Sequence, residues 1–223
     1  MTSRREELAA NLAEVLEAVD PYSPTLIVVT KTYPLSDVEI LNQLGANNFG
    51  ENRSDEGFAK SQAIKAQSKS SNWHYQGEIQ SKKIKEILSW ADCIHSLDDL
   101  RHAEKIDRVL QENSSSIKAF LQLSLDGDSS RGGLIESDLF PAAEALNKYR
   151  SIDLLGLMCV PPVDMEPALA YAQIASLHQR FSAEFPDSKS LSAGMSGDYM
   201  IALDHGATHI RVGSKILGER DYD

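Results

Sequence analysis

Apolar, strand-like runs alternate with helical patterns along almost the whole chain of 223 residues. The first run, residues 25–31, is rich in β-branched residues, which is typical of a strand that is buried on both faces in a parallel sheet. Parallel strands need a long crossover between them, usually a helix. Eight such runs with intervening helices favour a closed (β/α)8 TIM barrel over an open doubly wound sheet.

The bounds of these elements follow from the apolar runs and the helical stripes between them. The predicted strands are 25–31, 47–52, 72–78, 92–97, 117–125, 152–160, 189–195 and 209–217. The predicted helices are 35–44, 82–90, 98–112, 137–149, 165–185 and 198–205. An extra N-terminal helix precedes the first strand, because Ser3 and Glu6 have the spacing of a capping box.

The chain is predicted to form a single domain over residues 1–223. A barrel of this class takes about 250 residues, and the apolar fraction of 42% is enough to fill one large core. No Pro-, Gly- or Ser-rich linker of domain-separating length interrupts the alternation.

Lys31 ends the first predicted strand, and the carboxyl ends of the strands carry the active site in TIM barrels. An ammonium group removed from water is costly unless it is paired or deprotonated, so a lysine here is unusual. A desolvated amine at this position can form a Schiff base with an aldehyde. The alternative is a lysine whose stem lies along the strand while its ammonium group reaches water.

The last two predicted strands carry a pattern that suits a phosphate group. Residues 192–198 read Ser-Ala-Gly-Met-Ser-Gly-Asp and lead directly into a helix, so backbone N–H groups and a positive dipole end are available to an anion. Ser196 adds a hydroxyl, and Arg-Val-Gly-Ser follows at 211–214. TIM barrels often bind phosphate with the loops after strands 7 and 8. The alternative for the glycine-rich turn is an ordinary helix start.

Arg211 lies in the last predicted strand, where side chains alternate between the two faces. If Ile210 and Val212 face the helices, the permanently charged guanidinium of Arg211 points into the barrel mouth. Beside a pyridine nitrogen it would disfavour protonation of the ring and weaken the ring as an electron sink. A structural salt bridge with a carboxylate is the alternative.

Two further candidates lie in the second and third strands. Asn52 ends the second strand, where its amide can meet a ring hydroxyl or a phosphate, although asparagine is also a good helix N-cap. His74 shares one strand face with Gln76, and a hydrogen-bonded structural role is its alternative.

Charge and composition exclude several classes of partner. The net charge of −11 disfavours nucleic acid and anionic membrane surfaces. No apolar stretch approaches the roughly 20 residues of a transmembrane helix, and no signal peptide is evident. Cys93 and Cys159 are predicted to be buried free thiols. We therefore expect a cytoplasmic, monomeric protein.

Seven short segments, spread in order over nearly the whole length, carry a family resemblance. They are Val-Val-Thr-Lys-Thr at 28–32, Phe-Gly-Glu-Asn at 49–52, Trp-His at 73–74 followed by Gln-Ser at 80–81, Ile-His-Ser-Leu at 94–97, Gly-Leu-Met at 156–158, Leu-Ser-Ala-Gly-Met-Ser at 191–196 and Arg-Val-Gly-Ser at 211–214. The set is far more specific than any one segment. It resembles the YggS/PROSC family of pyridoxal phosphate homeostasis proteins.

The resemblance implies an alanine-racemase-like barrel, of the fold type III class, that holds pyridoxal 5′-phosphate on Lys31 as an internal aldimine. It implies phosphate contacts from Ser196, Gly213 and Ser214, with Arg211 near the pyridine nitrogen and Asn52 lining the site. Further candidates for contact with the cofactor are His74, Met158 and Gly194.

The segment 76–83 departs from the family pattern. Glu78 stands where a neutral residue or histidine is expected, and Lys82 stands where asparagine is usual. The departures leave the cofactor assignment in place but leave the role of this loop open.

The resemblance implies a cofactor carrier rather than an enzyme. Racemisation needs acid–base groups on both faces of the cofactor. The related racemases supply one of these groups from a second domain, and the residues up to Asp223 are not expected to form such a domain. The expected function is to hold and release the cofactor, with cofactor-dependent client enzymes as candidate partners. The alternatives are a weak racemase or decarboxylase with the same cofactor, and an aldolase that uses Lys31 on a phosphorylated carbonyl substrate. A pure interaction module explains neither Lys31 nor the glycine-rich turns.

Overall fold

A computed structural model describes residues 3–67, 70–128 and 130–219 of the chain. Eight parallel strands close into one barrel in chain order, so the predicted TIM barrel is confirmed. The strands are β1 (Thr25–Val29), β2 (Asn48–Glu51), β3 (Asn72–Tyr75), β4 (Cys93–Leu97), β5 (Ile117–Leu123), β6 (Ile152–Cys159), β7 (Ser190–Ser192) and β8 (His209–Val212).

Helices surround the barrel and connect its strands. They are α1 (Arg4–Val19), α2 (Leu35–Gln43), α3 (Ser54–Ala66), α4 (Ile84–Leu88), α5 (Leu100–Glu112), α6 (Glu136–Leu146), α7 (Pro167–Glu184), α8 (Tyr199–Asp204) and α9 (Ser214–Leu217), with 3-10 turns at Asp20–Tyr22 and Ser81–Lys83. In the part of the chain that the structure describes, no helix is long and apolar enough to cross a membrane.

The extra N-terminal helix begins with the predicted capping box. The Ser3 hydroxyl accepts from the Glu6 N–H, and the Ser3 N–H donates to the Glu6 carboxylate. Arg4 then joins two distant helices, because its guanidinium donates at 2.6 Å to Asp37 of α2 and at 2.9 Å to the carbonyl of Leu217 in α9. Helix α1 therefore bridges the seam where β1 pairs with β8.

Several strands are shorter than predicted, and two segments differ in the type of element that they form. The predicted last strand, 209–217, ends at Val212, and Ser214–Leu217 forms helix α9 after Gly213 turns the backbone. Ile216 and Leu217 are apolar and buried, so their pattern fits a strand and a helix equally well. Helix α3 has no predicted counterpart, because its buried face is built largely from Gly57, Lys60 and Ser61 and so lacks an apolar stripe.

The strands divide their side chains between two layers. Ile210 and Val212 of β8 belong to the core between barrel and helices, while Arg211 reaches across the barrel interior to groups on β6 and β7. The orientation predicted for Arg211 is thereby confirmed. Cys93 and Cys159 are free and buried, as predicted.

Gly156 allows β6 and β7 to lie against each other. It pairs in register with Ser190 and has a φ of 151°. A Cβ at this position would overlap the carbonyl oxygen of Ser190 and lie 2.8 Å from its carbonyl carbon. We expect Gly156→Ala to lower the free energy of unfolding by about 3 kcal/mol or more, through overpacking and backbone strain.

Chemical denaturation measures this effect, with Gly197→Ala as the matched control. Nothing lies within 4 Å of a Cβ built at Gly197, so its stability should stay within about 0.5 kcal/mol of the parent. Equal denaturation midpoints for the two variants would contradict the close approach of β6 and β7.

Candidate functional site

Lys31 lies in a turn just beyond the end of β1, at the carboxyl-end face of the barrel, and is half-buried. The strand ends at Val29, two residues earlier than predicted. Strand alternation places Val29, the last residue of β1, on the same side as Ile27. A Cβ at Gly50 would contact both Ile27 and Gln76, which identifies this side as the barrel interior. Lys31 therefore follows a strand whose last side chain faces the barrel interior, at the carboxyl-end face of the barrel.

A buried ion pair behind the barrel wall holds the residue before Lys31. The Lys60 ammonium lies 2.9 Å from Glu51 Oε1 and donates to the Thr30 carbonyl at 2.7 Å. The Thr30 hydroxyl donates to the same carboxylate oxygen at 2.6 Å. Both charged side chains are almost fully buried, at 7% and 0% exposure. Desolvation raises the pKa of Glu51, and the charge of Lys60 offsets part of that shift.

The same ammonium group holds the residue after Lys31. Lys60 also pairs with Glu56 at 2.7 Å, and Glu56 accepts the backbone N–H of Thr32 at 2.6 Å. Thr32 has a φ of 70°, a strained conformation for a β-branched residue. Both neighbours of Lys31 are thus fixed by one buried lysine, which the sequence analysis did not identify. The signal for it is a lysine on the buried face of α3.

The loops after β7 and β8 meet around the Ser196 hydroxyl. Its oxygen accepts from the Gly213 N–H at 3.1 Å and from the Lys215 N–H at 3.3 Å. Two backbone donors that converge on one oxygen are the arrangement that a phosphate oxygen requires. Ser214, between the two donors, is exposed.

Glycines make this loop pair compact. Gly194 has a φ of 96°, and a Cβ there would lie 2.8 Å from the Cβ of Ala202. A Cβ at Gly213 would lie 3.2 Å from the carbonyl oxygen of Val29. The Gly213 donor is therefore packed against the strand that ends beside Lys31.

Arg211 is buried, at 5% exposure, and its guanidinium donates to Ser192 Oγ at 2.9 Å and to the Cys159 carbonyl at 3.2 Å. Among the residues that the structure describes, no carboxylate lies within ion-pair distance of it. The salt bridge that was the alternative role for Arg211 is therefore wrong. Burial lowers the pKa of Arg211, but a guanidinium stays protonated in proteins.

Asn52 and Gln76 line the mouth on the side of β2 and β3. Asn52 is exposed at the end of β2. Helix α3 has Arg53 at its N-cap position, with no side-chain cap, so the N-cap alternative for Asn52 is wrong. The Nε2 group of Gln76 is buried and has no hydrogen-bond partner in the described part of the chain. An unpaired amide in this place is a further polar group available to a ligand.

His74 and Met158 lie inside the barrel. His74 is in register with Gly50, and its ring nitrogens face His95 and Asn48 at 2.9 Å and 3.3 Å. Desolvation lowers the pKa of His74 to about 3, so it is neutral at neutral pH. Met158 packs with Cys93 and Phe120 in a small cluster.

The loop 76–83, which departs from the family pattern, is mostly exposed at its charged positions. Glu78 is exposed, and its carbonyl accepts from the Tyr75 hydroxyl at 2.8 Å. Lys82 is exposed in the 3-10 turn, and the adjacent Lys83 pairs with Glu86. The carboxylate of Glu78 thus lies outside the set of groups that meet at the mouth.

Comparisons with known proteins agree on one family. The family model described as alanine racemase, N-terminal domain, matches residues 4–221. A pyridoxal phosphate homeostasis protein of Corynebacterium glutamicum is 38% identical over 205 residues, which cover 89% of this chain and 91% of the relative.

Solved structures agree with this match. PipY of Synechococcus elongatus with PLP bound has a TM-score of 0.87 at 31% identity, covering 95% of this chain and all of that chain. An alanine racemase of Clostridium difficile has a TM-score of 0.77 at 14% identity, covering 97% of this chain and 58% of that one. The second likeness confirms the alanine-racemase-like barrel and shows the fold alone.

Removal of the buried lysine should destabilise the protein strongly. Lys60→Met leaves the side chain of Glu51 buried without its ion-pair partner, whether Glu51 is charged or protonated. We therefore expect the free energy of unfolding to fall by about 3–5 kcal/mol. Lys65→Met is the control, because Lys65 is exposed on the same helix. The double variant Lys60→Met/Glu51→Leu should recover much of the loss. Equal denaturation midpoints for the Lys60 and Lys65 variants would contradict the role of the ion pair.

The buried histidines should make stability depend on pH. The pKa of His74 is lowered to about 3 and that of His209 to about 4, mainly by desolvation, whereas an unfolded histidine titrates near 6.5. The unfolded chain therefore binds more protons below pH 6.5, and stability falls as the pH falls. We expect a slope of about 1.4 kcal/mol per pH unit for each such histidine.

Denaturation at pH 7, 6 and 5 measures this slope. The variant His209→Gln should reduce the slope of stability against pH by the contribution of one histidine. A flat profile between pH 6.5 and 5 would mean that the folded protein takes up protons as readily as the unfolded chain.

Proposed function

The chain belongs to the family described as alanine racemase, N-terminal domain, and from this we propose that it binds pyridoxal 5′-phosphate and serves in the homeostasis of that cofactor. The observation that carries the proposal is the convergence of an amine and an anion cradle at one barrel mouth. Lys31 follows β1, and the Gly213 and Lys215 N–H groups that follow β8 donate to Ser196 Oγ in the loop after β7. The PLP-bound relative of the same size supports it.

The residues at the mouth fit this cofactor. Pyridoxal phosphate supplies an aldehyde that condenses with a primary amine, a phosphate, and a pyridine ring that can withdraw electrons. Lys31 would supply the amine, and the backbone groups of Gly213 and Ser214 with the hydroxyl of Ser196 would hold the phosphate. Arg211 would face the ring nitrogen, and Asn52 would line the site.

Ser196 supports the proposed ability to release the cofactor. Its hydroxyl oxygen already serves as an acceptor for the Gly213 and Lys215 N–H groups. The Gly213 N–H is part-buried, and a donor left buried without an acceptor costs about 1–3 kcal/mol, so an internal acceptor lowers this cost when a ligand leaves. The site is therefore suited to reversible binding.

We further propose that the protein has no robust catalytic turnover. The curated relatives carry the name of homeostasis proteins. Arg211 supports this proposal, because a fixed positive charge beside the ring nitrogen opposes protonation of the ring and weakens its electron-withdrawing power. A weak racemase or decarboxylase with the same cofactor is the second candidate. Its test is steady turnover of amino acids by the pure protein that is lost in Lys31→Ala.

Several finer predictions belong to the same proposal. They are a single domain over residues 1–223, a monomeric state, a cytoplasmic location and transfer of the cofactor to client enzymes. The pairing of β1 with β8 supports the single domain. Further contacts from His74, Met158 and Gly194 stay predictions.

The visible absorption spectrum of the purified protein tests the cofactor and its lysine. After addition of pyridoxal phosphate, we expect a yellow band that borohydride removes while fixing the cofactor to Lys31, as located by peptide mapping. Lys31→Ala should lose the band and the label completely. Lys82→Ala is the control, because Lys82 is exposed on the same face of the barrel, and it should keep both. Absence of a band in the parent protein would overturn the proposed function and favour the aldolase.

A further inference from the structure

The guanidinium of Arg211 is a buried charge that has no carboxylate within ion-pair distance in the described part of the chain, and the carboxylate of Asp198 attracts it only from farther away. A buried ion that is neither paired nor fully hydrogen-bonded is costly. Its side-chain bonds run to Ser192 Oγ and to the Cys159 carbonyl. Ser192 is itself fully buried, at 0% exposure. Compensation for the charge therefore comes from the longer-range attraction of Asp198 and from the groups bonded to these first two contacts.

A chain of hydrogen bonds continues from Ser192 across the barrel interior. Ser192 Oγ lies 2.9 Å from His95 Nδ1, and His95 Nε2 lies 2.9 Å from His74 Nδ1. His74 Nε2 lies 3.3 Å from Asn48 Oδ1. This series of hydrogen bonds starts at Arg211 on β8 and runs from β7 across to β4 and then through β3 to β2.

Chemistry allows one direction for the protons in this chain. Arg211 can only donate, so the Ser192 oxygen accepts from it. The single hydroxyl proton of buried Ser192 then has one acceptor, His95 Nδ1, among the contacts of the described residues. His95 must therefore carry its proton on Nε2 and donate to His74 Nδ1. His74 in turn carries its proton on Nε2 and donates to Asn48 Oδ1.

The far end of the chain agrees with this direction. Asn48 Oδ1 also accepts from Asn72 Nδ2 at 3.1 Å, and Asn48 Nδ2 donates to Asn47 Oδ1 at 2.9 Å. The oxygen of the Asn48 amide thus faces His74. Every donor from Arg211 to Asn48 points the same way, and both imidazoles are neutral.

We propose that Ser192, His95 and His74 are positioning residues that form a one-way hydrogen-bond chain, which replaces a carboxylate counter-ion and orients the charged Arg211 toward the ring of the bound cofactor. The orientation of Arg211 toward a cofactor ring rests on the proposed function, whereas the existence of the hydrogen-bond chain does not. A carboxylate would cancel the charge of Arg211. Aligned neutral dipoles stabilise the guanidinium by mutual polarisation and leave its positive charge in place.

The surroundings of the two histidines support their neutral state. The His95 ring is fully buried and stacks on Phe120 with ring centroids 4.5 Å apart. The charged or titratable groups that act on the pair are Arg211, His209 and Lys118. All three oppose a further positive charge, and desolvation acts in the same sense by lowering the pKa of both rings.

A metal ion is the competing occupant of this cluster. His74, Cys93 and His95 each offer one ligand atom, and these atoms lie within 4.8 Å of one another. The two facing imidazole nitrogens are however 2.9 Å apart with one proton between them, which is a hydrogen bond. Desolvation also raises the pKa of the Cys93 thiol, and a thiol must lose its proton to bind zinc.

Nitrogen-15 NMR of the histidine rings tests the hydrogen-bond chain directly. The sample is the full-length protein without cofactor. We expect the Nε2–H tautomer for both His74 and His95, with no titration between pH 5 and 8. A Nδ1–H tautomer at either ring would overturn the proposed direction. Stoichiometric binding of added zinc that is lost in Cys93→Ala would overturn the chain in favour of a metal site.

The functional part is tested by the bound cofactor's spectrum and its rate of release. We expect Ser192→Ala to bind pyridoxal phosphate, to make the visible band pH-dependent between pH 6 and 9, and to release the cofactor about tenfold faster. Ser192→Thr keeps the hydroxyl and should restore the parent behaviour. Ser188→Ala is the control for a buried serine, because the Ser188 hydroxyl donates to the Leu154 carbonyl outside this chain.

These outcomes separate the two proposals. Absence of any visible band in the parent protein is a failure of the proposed function. The NMR result then tests the hydrogen-bond chain independently of the cofactor. A normal parent band with identical behaviour of Ser192→Ala and Ser188→Ala is a failure of the positioning role, with the cofactor function intact.

Discussion

The burial of Lys60 between Glu51 and Glu56 is the interaction on which the candidate site depends. The ion pair lies behind the barrel wall, outside the mouth, yet it bonds to the residues on both sides of Lys31. The strained turn at Thr32 persists only because surrounding contacts hold it. A lysine with the role proposed for Lys31 needs a fixed position, and the ion pair holds the backbone on both sides of it.

Closure of the barrel is the second requirement for the site. The amine follows β1 and the anion cradle follows β7 and β8, so the two meet only where the first strand pairs with the last. Helix α1 stabilises this seam through Arg4, which joins α2 to α9. The residues that build the mouth are therefore distant in sequence but share one edge of the closed sheet. The site therefore exists only in the closed barrel.

The sequence predicts the repeating parts of the molecule well and its isolated contacts poorly. The strands follow from apolar runs, and Lys31 follows from a charge at the end of one of them. Helix α3 escapes prediction because Gly57 and Lys60 replace an apolar stripe on its buried face.

Long-range partners escape prediction for a different reason. His95 contacts Ser192 across 97 positions of sequence, and Lys60 contacts the Thr30 carbonyl across 30. Periodicity describes one element at a time, so it carries no signal for such pairs. The salt bridge that was the alternative for Arg211 fails in the same way, because the acceptors of Arg211 are a hydroxyl and a carbonyl that only the closed barrel brings near.

The molecule buries two cations and treats them differently, and the difference follows from their positions. Lys60 lies behind the wall, where the carboxylates of Glu51 and Glu56 offset its charge and form a structural unit with it. Arg211 lies inside the barrel, where neutral hydrogen-bond partners hold it and its charge remains. A carboxylate at Ser192 would provide a stronger local partner but would remove the positive potential at the mouth. The neutral partners of Arg211 are therefore suited to a site in which the charge itself acts on a ligand.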